Sequence, residues 1–342
     1  MAHSCAPLID LFVPLLLHND PQVQRQSAVL LYSSYGDEAV QRLRTLMAQG
    51  DARERQRARL AHEVLACHVS RATAGPLPGL AVQVACLGVL RVWVAGVPIL
   101  AEVAERDRGR AGSHKLRAVL AGLIHAGGRG ISREALMAAV WGQGAAAHGL
   151  MRTLGSLRAL IVEAGGEELA DAVLLVDEER CLLHPDHVQS DAAIFERLCV
   201  LAAELEQQEG LAAAAPLYAQ ALELYRGPYM ADVSGAWSAL IERRNLLAGD
   251  FLNLVERLAA HAFNERRYHE CARLCDLALA EDPAADDLTV WLLRAYAGLG
   301  HYAELEHAFQ HYLRAARVDP RAGNDPVVRV YARLRQERAV GL

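Results

Sequence analysis

The chain has 342 residues, enough for two or three domains at roughly 100–200 residues each. A hydrophobic fraction of 53% with a net charge of −6 excludes a disordered chain and describes a soluble, core-forming one. Abundant Ala, Leu, Arg and Glu, with only 6% aromatic residues, favour helix. Lys115 is the sole lysine, so positive charge rests almost entirely on arginine. The seven cysteines are scattered and mostly sit in apolar patterns, as expected of buried free thiols in a reducing compartment. The apolar run from Leu8 to Leu17 is interrupted by Asp10 and has no basic segment before it. It is too short to cross a membrane and poorly built for a signal peptide, so a cytoplasmic protein with no membrane partner is expected.

Residues 1–75 repeat with an offset of 31: Ile9 meets Val40, Phe12 meets Leu43, Leu15 meets Leu46, Asp20 meets Asp51 and Val29 meets Leu60. Each copy reads as an apolar helix, an Asp-containing turn and a second amphipathic helix. The aspartates are placed to cap the second helix. With the small residues Ser27 and Ala58, the pattern resembles HEAT repeats. RATAGPLPGL (Arg71 to Leu80) reads as a linker.

Residues 80–187 open with period-two stretches, VQVACLG and VLRVWVAGVPI, broken by Gly88 and Gly96, which read as short antiparallel strands. Three helical patterns follow: SHKLRAVLAGLIHAGG with Ser113 as a cap, SREALMAAVWG capped by Ser132, and HGLMRTLGSLRALI (His148 to Ile161), stopped by Gly165 and Gly166. AVLLV, a charged turn DEER and CLLH then read as a hairpin. This is the order of a winged helix-turn-helix, whose third helix enters the major groove.

Residues 188–342 show helical periodicity throughout. RRYHECARLCDLALAEDP and GHYAELEHAFQHYLRAARVDP align at an offset of 34, pairing Tyr268 with Tyr302 and Glu270 with Glu304, which is the tetratricopeptide period. The fold class expected is therefore mainly α: HEAT-like pairs, a winged helix-turn-helix with small β-sheets, and a tetratricopeptide-like helical-repeat domain.

Several pieces together resemble the actinobacterial antibiotic-regulatory type of transcription activator. VACLGVLRVWVAGVPI matches its opening strands; HKLRAVLAGLIHAGGRGISREALMAAVWG, closing on Trp141 and Gly142, its first two helices; and LGSLRAL its third. Asp191 and Phe195 match the start of the bacterial transcriptional activator domain, and LELYRGPYM with Trp237 its middle. The resemblance covers about residues 80–320. It implies an OmpR-like winged helix bound to double-stranded promoter DNA, and a repeat domain that pairs with a second protomer or contacts RNA polymerase or its sigma factor. Two departures stand out. The wing has ERCLL where the family ends in Gly-Tyr-x-Leu, and the third helix has Thr153, Gly155, Ser156 and Ala159 where the family places basic residues.

On that third helix Leu150, Leu154, Leu157 and Ile161 form the inward stripe. His148, Arg152, Thr153, Ser156 and Arg158 are the candidate DNA contacts, since Arg reads guanine edges and Ser and Thr reach bases or phosphates. Gly155 costs the helix about 1 kcal/mol against Ala. RDRGRAGSHKLR adds Arg110, Lys115 and Arg117 as candidate phosphate contacts at a helix N-terminus; the same run also reads as a solvated charged loop. Residues 80–187 carry 11 basic against 12 acidic side chains, short of the excess expected of a tight autonomous DNA binder. DNA binding would then draw on a dimer or on polymerase, with the loop GQGAAAH as a further polymerase contact and the N-terminal repeats offering a surface to an unidentified protein.

Two alternatives stay open: a protein-interaction scaffold with a degenerate winged helix, and a ligand sensor with a small molecule in the repeat groove. No metal or cofactor is expected. HEVLACH lacks the His-x-x-x-His spacing, Cys271 and Cys275 fit helix crossings, and His307 and His311 read as surface or packing residues. No glycine-rich phosphate loop, nucleophile triad or carboxylate pair points to an enzyme.

Overall fold

The computed structural model describes residues 6–17, 27–28, 31, 35, 37–51, 54–59, 61–62, 65, 81–99, 110–142, 148–233 and 237–340. The chain forms two compact units, Met1–Ala81 and Val82–Leu342.

In the first unit, α1 (Ala6–Leu16) and α2 (Asp37–Gln49) are packed together. Ile9, Phe12 and Leu16 of α1 and Ala39 and Leu43 of α2 are buried, as are Ser27 and Ala58, the small residues of the repeat. Asp10, which interrupts the apolar run, receives the Arg42 guanidinium, with Arg42 Nε at 2.7 Å from Oδ1. Asp51 caps the helical turn that follows it: its Oδ1 accepts from Glu54 N at 2.8 Å, and Glu54 Oε2 accepts from Asp51 N at 2.8 Å. This reciprocal pair is a capping box, which meets two helix-end N–H groups at once. Asp20, Val29 and Leu60, Cys5 and Cys67, and the linker Arg71 to Leu80 lie outside the described residues.

The second unit begins with β1 (Val82–Ala85), β2 (Arg91–Val94) and β3 (Val97–Pro98). Ala95 and Gly96 both have positive φ, the requirement of a tight two-residue hairpin between β2 and β3. Next come α3 (Arg110–Ala126), β4 (Ile131–Ser132), α4 (Arg133–Trp141), α5 (His148–Gly165) and α6 (Glu167–Val173). The hairpin β5 (Leu174–Val176) and β6 (Arg180–Leu183) follows, then β7 (Val188–Ser190). The first sheet runs in the order β3-β2-β1-β7, with β7 parallel to β1, and the second in the order β4-β6-β5.

Three features differ from the sequence expectation. Helix α3 starts at Arg110, so Ser113 lies inside it and is not its cap. Ser132 does cap α4, accepting from Ala135 N at 3.1 Å. The segment read as the strand AVLLV is split. Gly166, with φ +88, breaks the chain, and Glu167 and Glu168 then open α6, where acidic side chains favour a helix N-terminus. Finally, Val188–Ser190 completes the sheet begun by β1 instead of starting the helical region.

The helical repeats are α7 (Asp191–Glu209), α8 (Leu211–Leu224), α9 (Ser238–Asn264), α10 (Tyr268–Leu279), α11 (Asp286–Leu299), α12 (Tyr302–Ala316) and α13 (Pro326–Val340). The 34-residue repeat places Tyr268 and Tyr302 at the first positions of α10 and α12. Cys271 and Cys275 are fully buried at helix packing, as small apolar side chains. The molecule is mainly α, with small winged-helix sheets and a helical-repeat region.

Shared hydrogen bonds fuse the sheet to the repeats. Buried Asp191, the first residue of α7, accepts from Cys86 N at 2.7 Å and Leu87 N at 3.2 Å through Oδ1. The LELYRGPYM segment returns to the same turn: Met230 N donates to Cys86 O at 2.7 Å, Gly88 N to Pro228 O at 3.1 Å and Ala231 N to Gly88 O at 2.8 Å. Arg244 of α9 holds the strap by donating to the carbonyls of Tyr229, Met230 and Val233 at 2.7, 2.7 and 2.9 Å. Buried N–H and C=O groups demand partners, and these two chain regions supply them to each other.

Candidate nucleic-acid interface

The third helix of the winged-helix arrangement is α5. Its Leu150, Leu154, Leu157 and Ile161 are buried, which fixes the opposite face outward. His148, Met151, Arg152, Gly155, Ser156, Arg158 and Ala159 are exposed, and Thr153 is half-buried. A side chain at Gly155 would meet open space, so packing does not require glycine there.

The outward groups differ in how available they are. Thr153 Oγ1 donates to Gly149 O at 2.9 Å and Ser156 Oγ to Arg152 O at 3.1 Å, so both hydroxyls bond back to their own helix. Arg158 Nη2 donates to Asp171 Oδ1 of α6 at 2.6 Å, and this bond holds the guanidinium above its ordinary pKa. Arg152 makes no ion pair among the described residues. Between His148 and Arg180 the chain has three arginines, Arg152, Arg158 and Arg180, against seven carboxylates, a net charge of −4.

The wing continues this pattern. Its tip is Asp177, Glu178 and Glu179, all exposed. Asp177 Oδ1 accepts from Arg180 N at 2.6 Å and Glu179 N at 2.8 Å, which tightens the turn and holds the Asp177 carboxyl below its ordinary value.

The cationic run before α5 is divided in its roles. Arg110 opens α3, with its side chain outside the described part, and Arg106 and Arg108 lie outside the described residues. Lys115 is exposed, its Nζ 5.5 Å from the Trp141 ring centroid. Arg117 is committed within the fold: it donates to Leu90 O at 3.0 Å and pairs with Asp232, whose other oxygen accepts from Leu90 N at 2.8 Å. The central part of the GQGAAAH loop lies outside the described residues.

Two basic residues passed over in the sequence meet at the base of the wing. Arg180 Nη1 donates to Arg129 O at 3.3 Å, across a separation of 51 residues that no local motif reveals. Among the described residues no group of three His, Cys, Asp or Glu side chains could hold a metal ion, and His307 and His311 are exposed.

This geometry defines a winged-helix fold continuous with a helical-repeat domain. Residues 190–322 match the family model of the bacterial transcriptional activator domain, so the chain carries that domain. Among solved structures the chain is similar to EmbR from Mycobacterium tuberculosis, in a structure with a low-affinity phosphopeptide, at a TM-score of 0.58 and 20% identity. The similarity covers 75% of this chain and 65% of that one, and it shows a shared fold. No curated protein matches the chain.

Proposed function

We propose that the chain is a DNA-binding transcription regulator. The observation that carries this reading is the continuity of a winged helix with a bacterial transcriptional activator domain through Asp191 and the strap Arg226–Ala231. In this reading α5 enters the major groove of promoter DNA with His148, Arg152, Thr153 and Ser156 outward. Arg158 takes part once it leaves Asp171, and Arg110 and Lys115 supply phosphate contacts. Arg117 acts indirectly, by holding α3 to the β1–β2 turn. Among the described residues few free cations face outward, so the complex depends on a second protomer or on RNA polymerase and its sigma factor, engaged through the repeats. The HEAT-like helices of residues 1–75 add a protein-binding surface, and the setting is the cytoplasm, without an enzymatic role.

A second reading is favoured by the acidic wing and the Arg158–Asp171 pair: a scaffold in which the winged helix binds protein instead of DNA. Titration of promoter fragments at several salt concentrations, with R152A and R158A, separates the two. The regulator loses affinity with salt and with both substitutions, whereas the scaffold binds no DNA even at low salt with polymerase present.

A further inference from the structure

A cleft of about 690 Å³ lies at the base of the wing, lined by His125, Arg129, Arg180 and Trp237. It draws on the end of α3, the glycine-rich turn Gly127–Arg129, the first residue of β6 and the residue that precedes α9. One side is cationic. Arg129 and Arg180 are both exposed, and the Arg180 guanidinium is anchored on the Arg129 carbonyl. Neither forms an ion pair among the described residues. Both side chains line the cleft, and an anion held there would take charge-assisted hydrogen bonds from the two guanidiniums. The nearby Asp177 is already used by the backbone N–H groups of Glu179 and Arg180.

The other side is aromatic. The His125 ring sits 5.7 Å from that of Trp237, and His125 Nδ1 is buried with no hydrogen-bond partner among the described residues. Burial, then the charges of Arg243 and Arg129, lower the His125 pKa, so the ring is a neutral, flat wall at physiological pH.

We propose that this cleft binds a small phosphate ester bearing a flat ring, with Arg129 and Arg180 on the phosphate and Trp237 and His125 against the ring. Two planar guanidinium forks match the charge and geometry of a dianionic phosphate monoester. The site reports on both halves of the unit, because Arg129 and Arg180 belong to the winged helix and Trp237 to the matched activator domain.

Calorimetric titration of adenosine monophosphate into the full chain, with inorganic phosphate as competitor, tests the proposal. Saturable binding is expected, displaced by phosphate and weakened about tenfold or more in R129A/R180A. Both arginines are exposed, so this double variant keeps its melting temperature. Trp237→Leu weakens binding of the nucleotide but not of inorganic phosphate. Absence of saturable nucleotide binding at millimolar concentration, or binding indifferent to R129A/R180A, overturns the proposal. So does loss of duplex DNA binding in R129A/R180A without nucleotide binding, which assigns the arginines to a nucleic-acid backbone. The assay does not require DNA binding, so its failure is distinct from failure of the regulator reading.

Discussion

Arg158 donates to Asp171 at 2.6 Å, on a helix whose outward face has one other arginine, Arg152. The Asp171 carboxylate occupies the guanidinium that a DNA phosphate or guanine edge would need. D171N is therefore expected to tighten DNA binding about threefold, the scale of an exposed ion pair, while R152A weakens it about tenfold. Fluorescence anisotropy of both variants against one duplex checks this. If D171N leaves the affinity unchanged, the pair does not compete with DNA. Gly155 permits a second test. G155A is expected to raise helix stability by about 0.5–1 kcal/mol, because open space surrounds the site, while G155L obstructs close approach to the groove. Urea denaturation reads the first effect and anisotropy the second. The leucine stripe of α5 was legible in the sequence because Leu150, Leu154, Leu157 and Ile161 repeat at helical spacing. The Asp171 pair was not legible, because it depends on where α6 places a residue 13 positions away. The commitment of Arg117 to Asp232 spans 115 residues and was equally hidden.

At the scale of elements, Asp191 ties the β1 end to the start of α7. Its buried carboxylate accepts from two backbone N–H groups, with Arg226 Nη2 at 3.6 Å. Asp191→Ala leaves those N–H groups without a partner and is expected to destabilise the second unit by roughly 3 kcal/mol. Urea denaturation of the full chain measures it, and a loss well under 1 kcal/mol would contradict the fused arrangement. Asp191 was visible in the sequence as a match to the activator domain; its partners were not. Helix α6 escaped notice because its short run, ELADAV, merges with the apolar LLV of β5, and only Gly166 at positive φ separates it from α5. Strand β7 escaped because its partner β1 lies more than a hundred residues earlier, and parallel pairing leaves no hairpin signal.

Across the whole molecule, acidic groups outnumber basic ones, and some sit in crevices of the repeats. Glu196 and Asp250 are half-buried, and burial raises both pKa values, with Arg243 opposing. A carboxyl with a raised folded-state pKa costs stability above that pKa. The cost fades as pH falls toward the unfolded value. Asp250→Asn is therefore expected to raise the melting temperature at pH 7.5 and to confer less advantage near pH 4, as thermal denaturation at the two values shows. The alternation of strands and three helices, and the 34-residue repeat, made the broad architecture legible because both are local periodicities. The wing-base cleft was not, because it assembles residues from three separate stretches of chain.

DNA binding by the winged helix is the central claim, and its salt dependence is the most direct measurement. The full chain, alone and with RNA polymerase, is titrated by anisotropy against duplex promoter fragments between about 50 and 200 mM salt. The regulator account predicts sequence-preferring binding whose log affinity falls with log salt at a slope of roughly −4 for about four phosphate contacts, and which R152A weakens. No binding at the lowest salt, with or without polymerase, would contradict it.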